Sequence, residues 1–242
     1  MKSTHYNPWI YGINHTVRAI TEGVCDIESE PLKKIPADGP LILVANHINM
    51  VEVPIFFTQL MDRPLTGFSK VENWHHPLIK RLFDMWGLIP LNREEIDLTA
   101  LRQGLQALDD GKILVISPEG TRSHDGHLQQ GRPGMVLMAL RSGAPIMPIA
   151  HYGVEQIYSN LLRLKRTDFH IRVGDPFYVD VGDTRVRSAE RRQITDEIMY
   201  QIAALLPPSY RGAYANLDAA TEEYLRFDPP AQSSLTAKRE EG

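Results

Sequence analysis

The stretch LILVANHINMVEVP, residues 41–54, predicts the class of the fold, because its pattern indicates a buried strand that leads directly into a helix. Four consecutive aliphatic residues open the stretch, so we predict a buried strand over residues 41–46. Residues 51–62 are predicted to be helical, since Pro54 then lies in the first turn, where a missing N–H costs little. A strand that is followed at once by a helix is typical of α/β proteins with a largely parallel sheet.

The rest of the chain repeats this alternation of strands and helices. Apolar runs predict further strands at residues 65–70, 112–117, 145–150 and 168–173. Helical spacing of apolar side chains predicts helices at residues 74–86, 95–109, 132–142, 187–206 and 210–225. We therefore expect an α/β fold with a largely parallel central sheet flanked by helices.

The pattern also divides the chain into three parts. Residues 1–24 are predicted to carry an N-terminal amphipathic helix with possible membrane contact, and residues 25–227 to form the main domain. Residues 228–242, DPPAQSSLTAKREEG, lack an apolar pattern, so we predict a disordered tail there.

Composition excludes several classes of function. The formal net charge is -4, so nothing global attracts the chain to nucleic acid. The single cysteine, Cys25, rules out an internal disulfide framework, and with no H-E-x-x-H motif we predict no metal site. No apolar run approaches the roughly 18 residues of a membrane-spanning helix. The first residues also lack a hydrophobic signal region, so we expect a cytoplasmic location.

His47 and Glu52 are the first candidate catalytic pair. Chemistry in α/β folds collects at the carboxyl ends of strands, where His47 is predicted to lie. Five residues along a helix rotate about 140°, so the two side chains meet only if His47 precedes the helix and Glu52 lies in its first turn. A carboxylate on one ring nitrogen would orient the imidazole as a general base. The alternative is an acidic residue favoured only by the helix dipole, beside a polar loop histidine.

A second candidate region is SPEGTRS, residues 117–123, which follows the strand predicted at 112–117. Gly120 permits close approach of the backbone to a ligand, and the planar guanidinium of Arg122 suits phosphate oxygens. An arginine in a loop is also commonly a solvated charge, so neither feature is decisive alone.

Together, N-H-x4-E at residues 46–52 and P-E-G-T-R-S at 118–123 resemble the glycerolipid acyltransferase family, typified by 1-acylglycerol-3-phosphate acyltransferases. Blocks at residues 87–93, preceded by Lys70, and at 144–149 are similar to the remaining two family blocks and follow the family order. The resemblance covers roughly residues 20–175. The sequence departs from the family pattern at Glu52, where aspartate is usual, and at Ser117, where phenylalanine is usual.

The resemblance implies transfer of an acyl group from acyl-CoA or acyl carrier protein to a hydroxyl of a lysophospholipid. The implied acceptor is 1-acylglycerol-3-phosphate, which would give phosphatidic acid without any further cofactor. By resemblance, the catalytic residues are His47 and Glu52, the residues that bind the acceptor phosphate are Arg122, Lys70 and Arg93, and the substrate-binding turn is Glu119, Gly120 and Thr121. Glu119 either contacts the polar part of the acceptor or anchors its loop through backbone hydrogen bonds.

A lipid acceptor implies contact with a membrane surface, and we expect a peripheral protein on the inner face. Residues 8–23 are expected to contact the membrane and residues 74–86 to cover the sheet. The basic run LLRLKR, residues 161–166, either faces phosphates or forms a solvated surface. The sequence also allows a different lipid acceptor, such as a glycolipid or an amino-acid lipid. Two other classes of protein are alternatives: a non-enzymatic lipid- or CoA-binding protein, and a hydrolase, although the G-x-S-x-G motif of hydrolases is missing.

Overall fold

A seven-stranded sheet forms the centre of the protein in a computed structural model, which describes residues 8–92, 97–182 and 186–240. The strands of this sheet are β1 (Cys25–Ile27), β2 (Leu41–Ala45), β3 (Leu65–Lys70), β4 (Ile89–Leu91), β5 (Ile113–Ile116), β6 (Ile146–Tyr152) and β7 (Thr167–Val173). Two further short strands, β8 (Tyr178–Val179) and β9 (Leu225–Arg226), pair antiparallel. The helices are α1 (Pro8–Val24), α2 (Glu52–Gln59), α3 (Pro77–Met85), α4 (Leu98–Asp109), α5 (Gly134–Ser142), α6 (Ile157–Leu162), α7 (Ser188–Leu205) and α8 (Ser234–Glu240).

The order of the strands in the sheet is β1-β7-β6-β2-β5-β3-β4, and every neighbouring pair is parallel except β6–β7. The predicted α/β fold with a largely parallel sheet is therefore confirmed. Strand β2 lies at the centre, where Val44 pairs with Ile116 of β5 and Pro148 of β6. Because these three strands point the same way, the segments that follow them emerge at one edge of the sheet, which we call the carboxyl edge.

Both faces of the sheet are covered, as the continuous aliphatic run of β2 requires. Alternate residues of a strand point to opposite faces. Ile42 and Val44 accordingly join the core cluster that includes α5 and α7, whereas Leu41, Leu43 and Ala45 join the cluster that includes α2. All five residues of β2 are buried.

Helix α1 forms within the segment predicted for it and packs against α2. Most of the apolar face expected over residues 74–86 packs inside the fold, where Phe83 and Trp86 are buried near Phe57 of α2, whereas Leu78 is exposed. No helix in the described ranges combines the length and the hydropathy that crossing a bilayer would require.

The helix predicted at residues 210–225 is wrong. The structure has three short 3-10 turns there, at Pro208–Tyr210, Gly212–Tyr214 and Leu217–Ala219, followed by β9. Tertiary contacts take the backbone groups that a helix would have used. Glu197 of α7 accepts hydrogen bonds from the N–H groups of Glu223 and Tyr224, at 3.0 Å each.

The disorder predicted for residues 228–242 also differs from the structure, in which α8 packs against α7. Gln201 of α7 accepts a hydrogen bond of 2.8 Å from the N–H of Ser234, and Leu235 is buried. The segment is held by one buried leucine and by a hydrogen bond to a side chain of α7. Neither contact produces a periodic apolar pattern in the sequence.

Candidate active site

The loop between β2 and α2 carries the first candidate pair and is held against the end of β6. Asn46 makes two hydrogen bonds to the backbone of His151: its amide oxygen accepts from the N–H at 2.9 Å, and its amide nitrogen donates to the carbonyl at 2.8 Å. Asn49 donates to the carbonyl of Val154 at 3.0 Å. The position of His47 is therefore set by two strands that are about a hundred residues apart in the chain.

His47 and Glu52 are in contact, as their spacing predicts. Nδ1 of His47 hydrogen-bonds to Oε1 of Glu52, while Oε2 of Glu52 accepts from the backbone N–H groups of Ile48 at 3.0 Å and Asn49 at 3.1 Å. The carboxylate thus orients the imidazole and also satisfies N–H groups that precede its own helix. With its Nδ1–H directed at the carboxylate, the ring has Nε2 left to accept a proton.

A second histidine, His151, lies behind this pair and was missed by the sequence analysis. Its ring is completely buried, with Nε2 at 2.8 Å from the carbonyl oxygen of Asn46 and 3.5 Å from Oε2 of Glu52. Because both neighbours of Nε2 are acceptors, that nitrogen carries the proton. The only signal in the sequence was a histidine that directly follows the predicted strand at 145–150.

The electrostatics of the site favour an ionised Glu52 between two imidazoles. Burial opposes the charged carboxylate most strongly, but His151, His47 and the N–H of Ile48 together hold the pKa of Glu52 below its ordinary value. Burial is also the main cause that lowers the pKa of His151, against the opposing effect of Glu52. His151 is therefore a neutral hydrogen-bond donor at neutral pH.

Glu119 anchors the second motif to the first. Its Oε1 accepts the backbone N–H of His47 at 2.7 Å, and its Oε2 accepts that of Gln129 at 2.9 Å. The residue is 2% exposed, and burial raises the pKa of its carboxyl to about 8. These contacts favour the loop-anchoring alternative over contact with the acceptor. The N–H of Ser123 reinforces the link by donating to the carbonyl of His47 at 2.8 Å.

The glycine of the motif occupies a conformation that other residues rarely adopt. Gly120 has φ of 67°, and a Cβ placed there would lie 2.8 Å from Cδ of Arg132. The guanidinium stem of Arg132 thus passes over the turn. Arg132 was not singled out from the sequence, because it lies beyond the motif and nothing in its spacing connects it with Gly120.

A cavity of about 430 Å³ opens beside His47. Its basic lining residues are His47, Lys70, Arg122 and Arg132. Its lining is otherwise largely apolar and includes Phe57, Phe68, Leu88, Leu101 and Met138. A cavity of this kind suits an amphiphilic ligand with an anionic end and a hydrocarbon end.

The structure thus brings together most of the residues that the motifs singled out. His47, Glu52, Lys70, Gly120 and Arg122 line the cavity. Glu119 is buried behind the wall and Thr121 is exposed outside it. Lys70 also forms an ion pair with Glu72 at 2.9 Å. The predicted phosphate ligand Arg93 lies outside the described residues.

The described residues contain no group of three or more His, Cys, Asp or Glu side chains that could hold a metal ion. The chemistry that the geometry supports is proton transfer. His47, whose imidazole is oriented by Glu52, lines a cavity in which a hydroxyl group can be placed, and cationic side chains line the same cavity.

The chain is similar to known proteins in sequence and in fold. The family model described as Acyltransferase matches residues 26–152, just over half of the chain. A 1-acyl-sn-glycerol-3-phosphate acyltransferase of Borreliella burgdorferi is 25% identical over 72% of this chain and 69% of its own length. A lyso-ornithine lipid O-acyltransferase of Pseudomonas aeruginosa is 28% identical over 57% of this chain, and the match spans 59% of that relative.

The fold is shared with a solved structure. The crystal structure of the 1-acyl-sn-glycerophosphate acyltransferase PlsC from Thermotoga maritima matches with a TM-score of 0.56 and 21% identity, over 78% of this chain and 76% of that one. The family match spans β1 to β6 and includes both the His47–Glu52 pair and the turn at Gly120. The chain therefore belongs to the acyltransferase family.

Proposed function

We propose that this acyltransferase moves a fatty acyl group from acyl-CoA or acyl carrier protein to the free hydroxyl of 1-acylglycerol-3-phosphate, giving phosphatidic acid. The observation that carries the proposal is the His47–Glu52 contact in the wall of a cavity that also holds Arg122 and Lys70. The name of the Borreliella relative supports the same acceptor.

His47 is the general base in this proposal. The acceptor hydroxyl is a poor nucleophile until a base removes its proton, which contributes roughly 10²–10⁴ in rate. The oxygen then attacks the thioester carbonyl, and the tetrahedral intermediate expels the thiolate. His47 returns the same proton to the thiolate, so protons balance without an acyl-enzyme. Cys25 is completely buried in the core and takes no part.

Arg122 and Lys70 hold the acceptor phosphate near His47. Arg122 is half-buried, and its guanidinium makes no ion pair with the described residues. Lys70 is paired with Glu72, so a phosphate would compete for its ammonium group. Fixing the headgroup lowers the entropic part of the barrier, because the hydroxyl is then held against the base. Arg93 remains a predicted third ligand.

The apolar part of the cavity receives a hydrocarbon chain. Phe68, Leu101 and Met138 lie in the same cavity as the catalytic pair, so one apolar chain can enter while the polar group stays at His47. Burial of its methylene groups there would stabilise the bound hydrocarbon chain by about 0.8 kcal/mol for each CH₂.

A peripheral position on the inner face of the membrane completes the proposal, since the acceptor resides in a bilayer. Helix α1 supports it because the large apolar side chains of Trp9, Ile13 and Ile20 are exposed and fall on one side of the helix. A helix of this kind lies in the interface, with the aromatic and aliphatic side chains towards the lipid.

A second acceptor is supported by one comparison. The Pseudomonas relative is named for a lyso-ornithine lipid, which carries an amino acid in place of the phosphate. The cationic wall formed by Arg122, Arg132 and Lys70 favours the phosphate-bearing acceptor, because a phosphate complements several positive charges.

Release of free thiol from palmitoyl-CoA tests the proposal when it is followed with lysophosphatidic acid, with lyso-ornithine lipid or without acceptor. We expect release only with lysophosphatidic acid, in step with phosphatidic acid formation. His47→Ala should lower the rate roughly 10²–10⁴-fold. The exposed His127 pairs with Asp125 outside the cavity wall, so His127→Ala serves as the matched control. Release without acceptor, or full activity of His47→Ala, would refute the proposal.

A further inference from the structure

The turn that connects α6 to β7 exposes leucines almost completely. Leu162 is 89% exposed and Leu164 is 97% exposed, and Tyr158 and Leu161 beside them are exposed as well. Single exposed leucines are ordinary on protein surfaces, but a cluster of large apolar side chains marks an interaction site. We call residues 158–166 the α6 tip.

The backbone holds one of these leucines outward at a cost in conformational energy. Leu164 has φ of 54°, a left-handed conformation that branched and bulky residues rarely adopt. Asparagine or glycine would occupy this position with less strain and without exposing apolar surface. Strain of this kind persists at sites of function, where the surrounding structure enforces it.

The α6 tip is firmly attached to the rest of the fold. Asn160 donates a hydrogen bond of 3.0 Å to the hydroxyl of Thr167 at the start of β7. The guanidinium of Arg166 donates to the carbonyl oxygens of Glu22 at 2.9 Å and Cys25 at 2.6 Å, at the end of α1 and the start of β1. The tip and the amphipathic helix α1 are therefore parts of one surface.

Basic side chains alternate with the leucines. Arg163 and Lys165 are exposed, and neither forms an ion pair with any residue in the described ranges. The chain as a whole is acidic, with a net charge of -4, so this is a local concentration of positive charge. Leucines next to unpaired cations complement a lipid surface, because the apolar groups enter the acyl region while the cations meet anionic headgroups.

The α6 tip lies at the same edge of the sheet as the catalytic pair. Strands β2 and β6 are parallel, with Ala45 opposite Ile149, so α6 follows β6 from the edge at which His47 follows β2. The other strongly exposed apolar residues of the described chain lie on α1 or follow β3 and β4 at this edge; the latter are Val71, Leu78 and Leu98. A bilayer that touched the α6 tip would therefore face the carboxyl edge.

We propose that the α6 tip is a membrane-docking element that inserts Leu162 and Leu164 into an anionic bilayer, with Arg163 and Lys165 at the headgroups. The proposal rests on the proposed function, in which the acceptor is a membrane lipid. Docking through the tip and α1 together holds the carboxyl edge, with His47, at the surface that supplies the acceptor.

Co-sedimentation with vesicles tests the docking element. The full chain is mixed with vesicles of phosphatidylcholine alone or of phosphatidylcholine with phosphatidylglycerol. We expect the double variant Leu162→Gln/Leu164→Asn to partition about ten-fold more weakly to the anionic vesicles. Asparagine accepts the left-handed conformation at position 164, so the fold is preserved. The control Leu162→Met/Leu164→Met keeps the apolar surface and should bind as the wild type does.

A labelled cysteine gives an independent measurement. Cys25 is buried, so Leu162→Cys can be labelled selectively with an environment-sensitive fluorophore. We expect a blue shift with anionic vesicles for this label, and none for a label at Arg141→Cys, because α5 runs away from the carboxyl edge towards the start of β6. Equal partitioning of the Gln/Asn and Met/Met double variants, or an unshifted label at position 162, would overturn the proposal.

Acyl transfer to lysophosphatidic acid dispersed in neutral detergent separates the two proposals. No bilayer is present in this assay, so the Gln/Asn double variant should transfer at the wild-type rate while its rate on vesicles falls. An absence of transfer by the wild type in detergent would contradict the proposed function, whatever the vesicle binding showed.

Discussion

Nε2 of His151 lies 3.5 Å from Oε2 of Glu52, so the Glu52 carboxylate lies between two imidazoles. His47 takes one oxygen, while the other oxygen faces His151 and the N–H groups of Ile48 and Asn49. The side chain of glutamate is long enough for one oxygen to reach His47 while the other faces His151 and the two backbone N–H groups. An aspartate would be one methylene shorter and would lose reach towards one of the two rings.

Replacement of Glu52 tests this arrangement. We expect Glu52→Gln to lower kcat/KM for thiol release roughly 10²–10⁴-fold, because a neutral amide no longer steadies the imidazolium of His47. Glu52→Asp keeps the charge and should retain an intermediate activity. The rates are measured with saturating acyl-CoA and varied lysophosphatidic acid.

The pH profile distinguishes a catalytic from a structural effect of these variants. Loss of the carboxylate charge should shift the acidic limb of kcat/KM to lower pH in Glu52→Gln, because a positive charge on the neighbouring imidazole is then less well stabilised. A profile with the wild-type limb would show that Glu52 acts only through folding.

His151 is predicted to support stability through the carbonyl of Asn46. His151→Phe keeps an aromatic ring against Phe169, which stacks on His151 at 5.2 Å, but leaves that carbonyl without its donor. We expect a loss of about 1–3 kcal/mol in the free energy of unfolding, measured in urea. The matched control is His170→Phe, because His170 stacks on Tyr152 in a more exposed position and should change stability by less.

The stability of the wild type should also depend on pH through His151. Burial lowers the pKa of this histidine from its ordinary value of 6.5, so the unfolded chain binds its proton more tightly than the folded chain does. Stability is therefore lost as the pH falls below about 6.5, and His151→Phe should reduce that loss. An identical pH dependence in the variant would contradict the assignment.

Glu119 is predicted to make the stability of the fold depend on pH with the opposite sign, so that stability falls as the pH rises. Its pKa is raised from 4.5 to about 8, so its contribution to stability is fully present below pH 4.5 and is lost as the pH rises towards 8. Glu119→Gln should remove this part of the pH dependence. It should also destabilise the fold by about 1–3 kcal/mol, since the amide cannot accept from both His47 and Gln129. Denaturant midpoints at several pH values check both effects.

Arg122 is predicted to bind the acceptor phosphate. Arg122→Ala should raise the KM for lysophosphatidic acid about ten- to hundred-fold, because a hydrogen bond to a charged group is worth about 1.5–3 kcal/mol. Any transfer to monoacylglycerol, which has no phosphate, should proceed at the same rate in this variant and in the wild type. The exposed arginine of α5, changed as Arg141→Gln, controls for loss of one positive charge. If Arg122→Ala lowered the rate equally with lysophosphatidic acid and with monoacylglycerol, the role of Arg122 would be structural.

Much of the fold and the central catalytic pair follow from local sequence. The aliphatic run of β2 requires burial on both faces, and the five-residue spacing from His47 to Glu52 permits contact only across a loop and a first helical turn. Gly120, expected from the sequence to permit close approach of the backbone, lies in a turn where the structure gives it positive φ. Each of these conclusions depends on residues that are neighbours in the chain, so the covalent geometry limits the possible arrangements.

The groups from distant parts of the chain that complete the site are brought together by the order of strands in the sheet. His151 meets Glu52 because β2 and β6 are paired, and Glu119 meets the backbone of His47 because β5 lies on the other side of β2. Packing against α7 also explains the C-terminal part of the chain. Short turns and α8 form there, where the sequence predicts a helix and a disordered tail. The order of strands in a sheet is settled by burial and pairing across the whole chain, and no local pattern of residues specifies it.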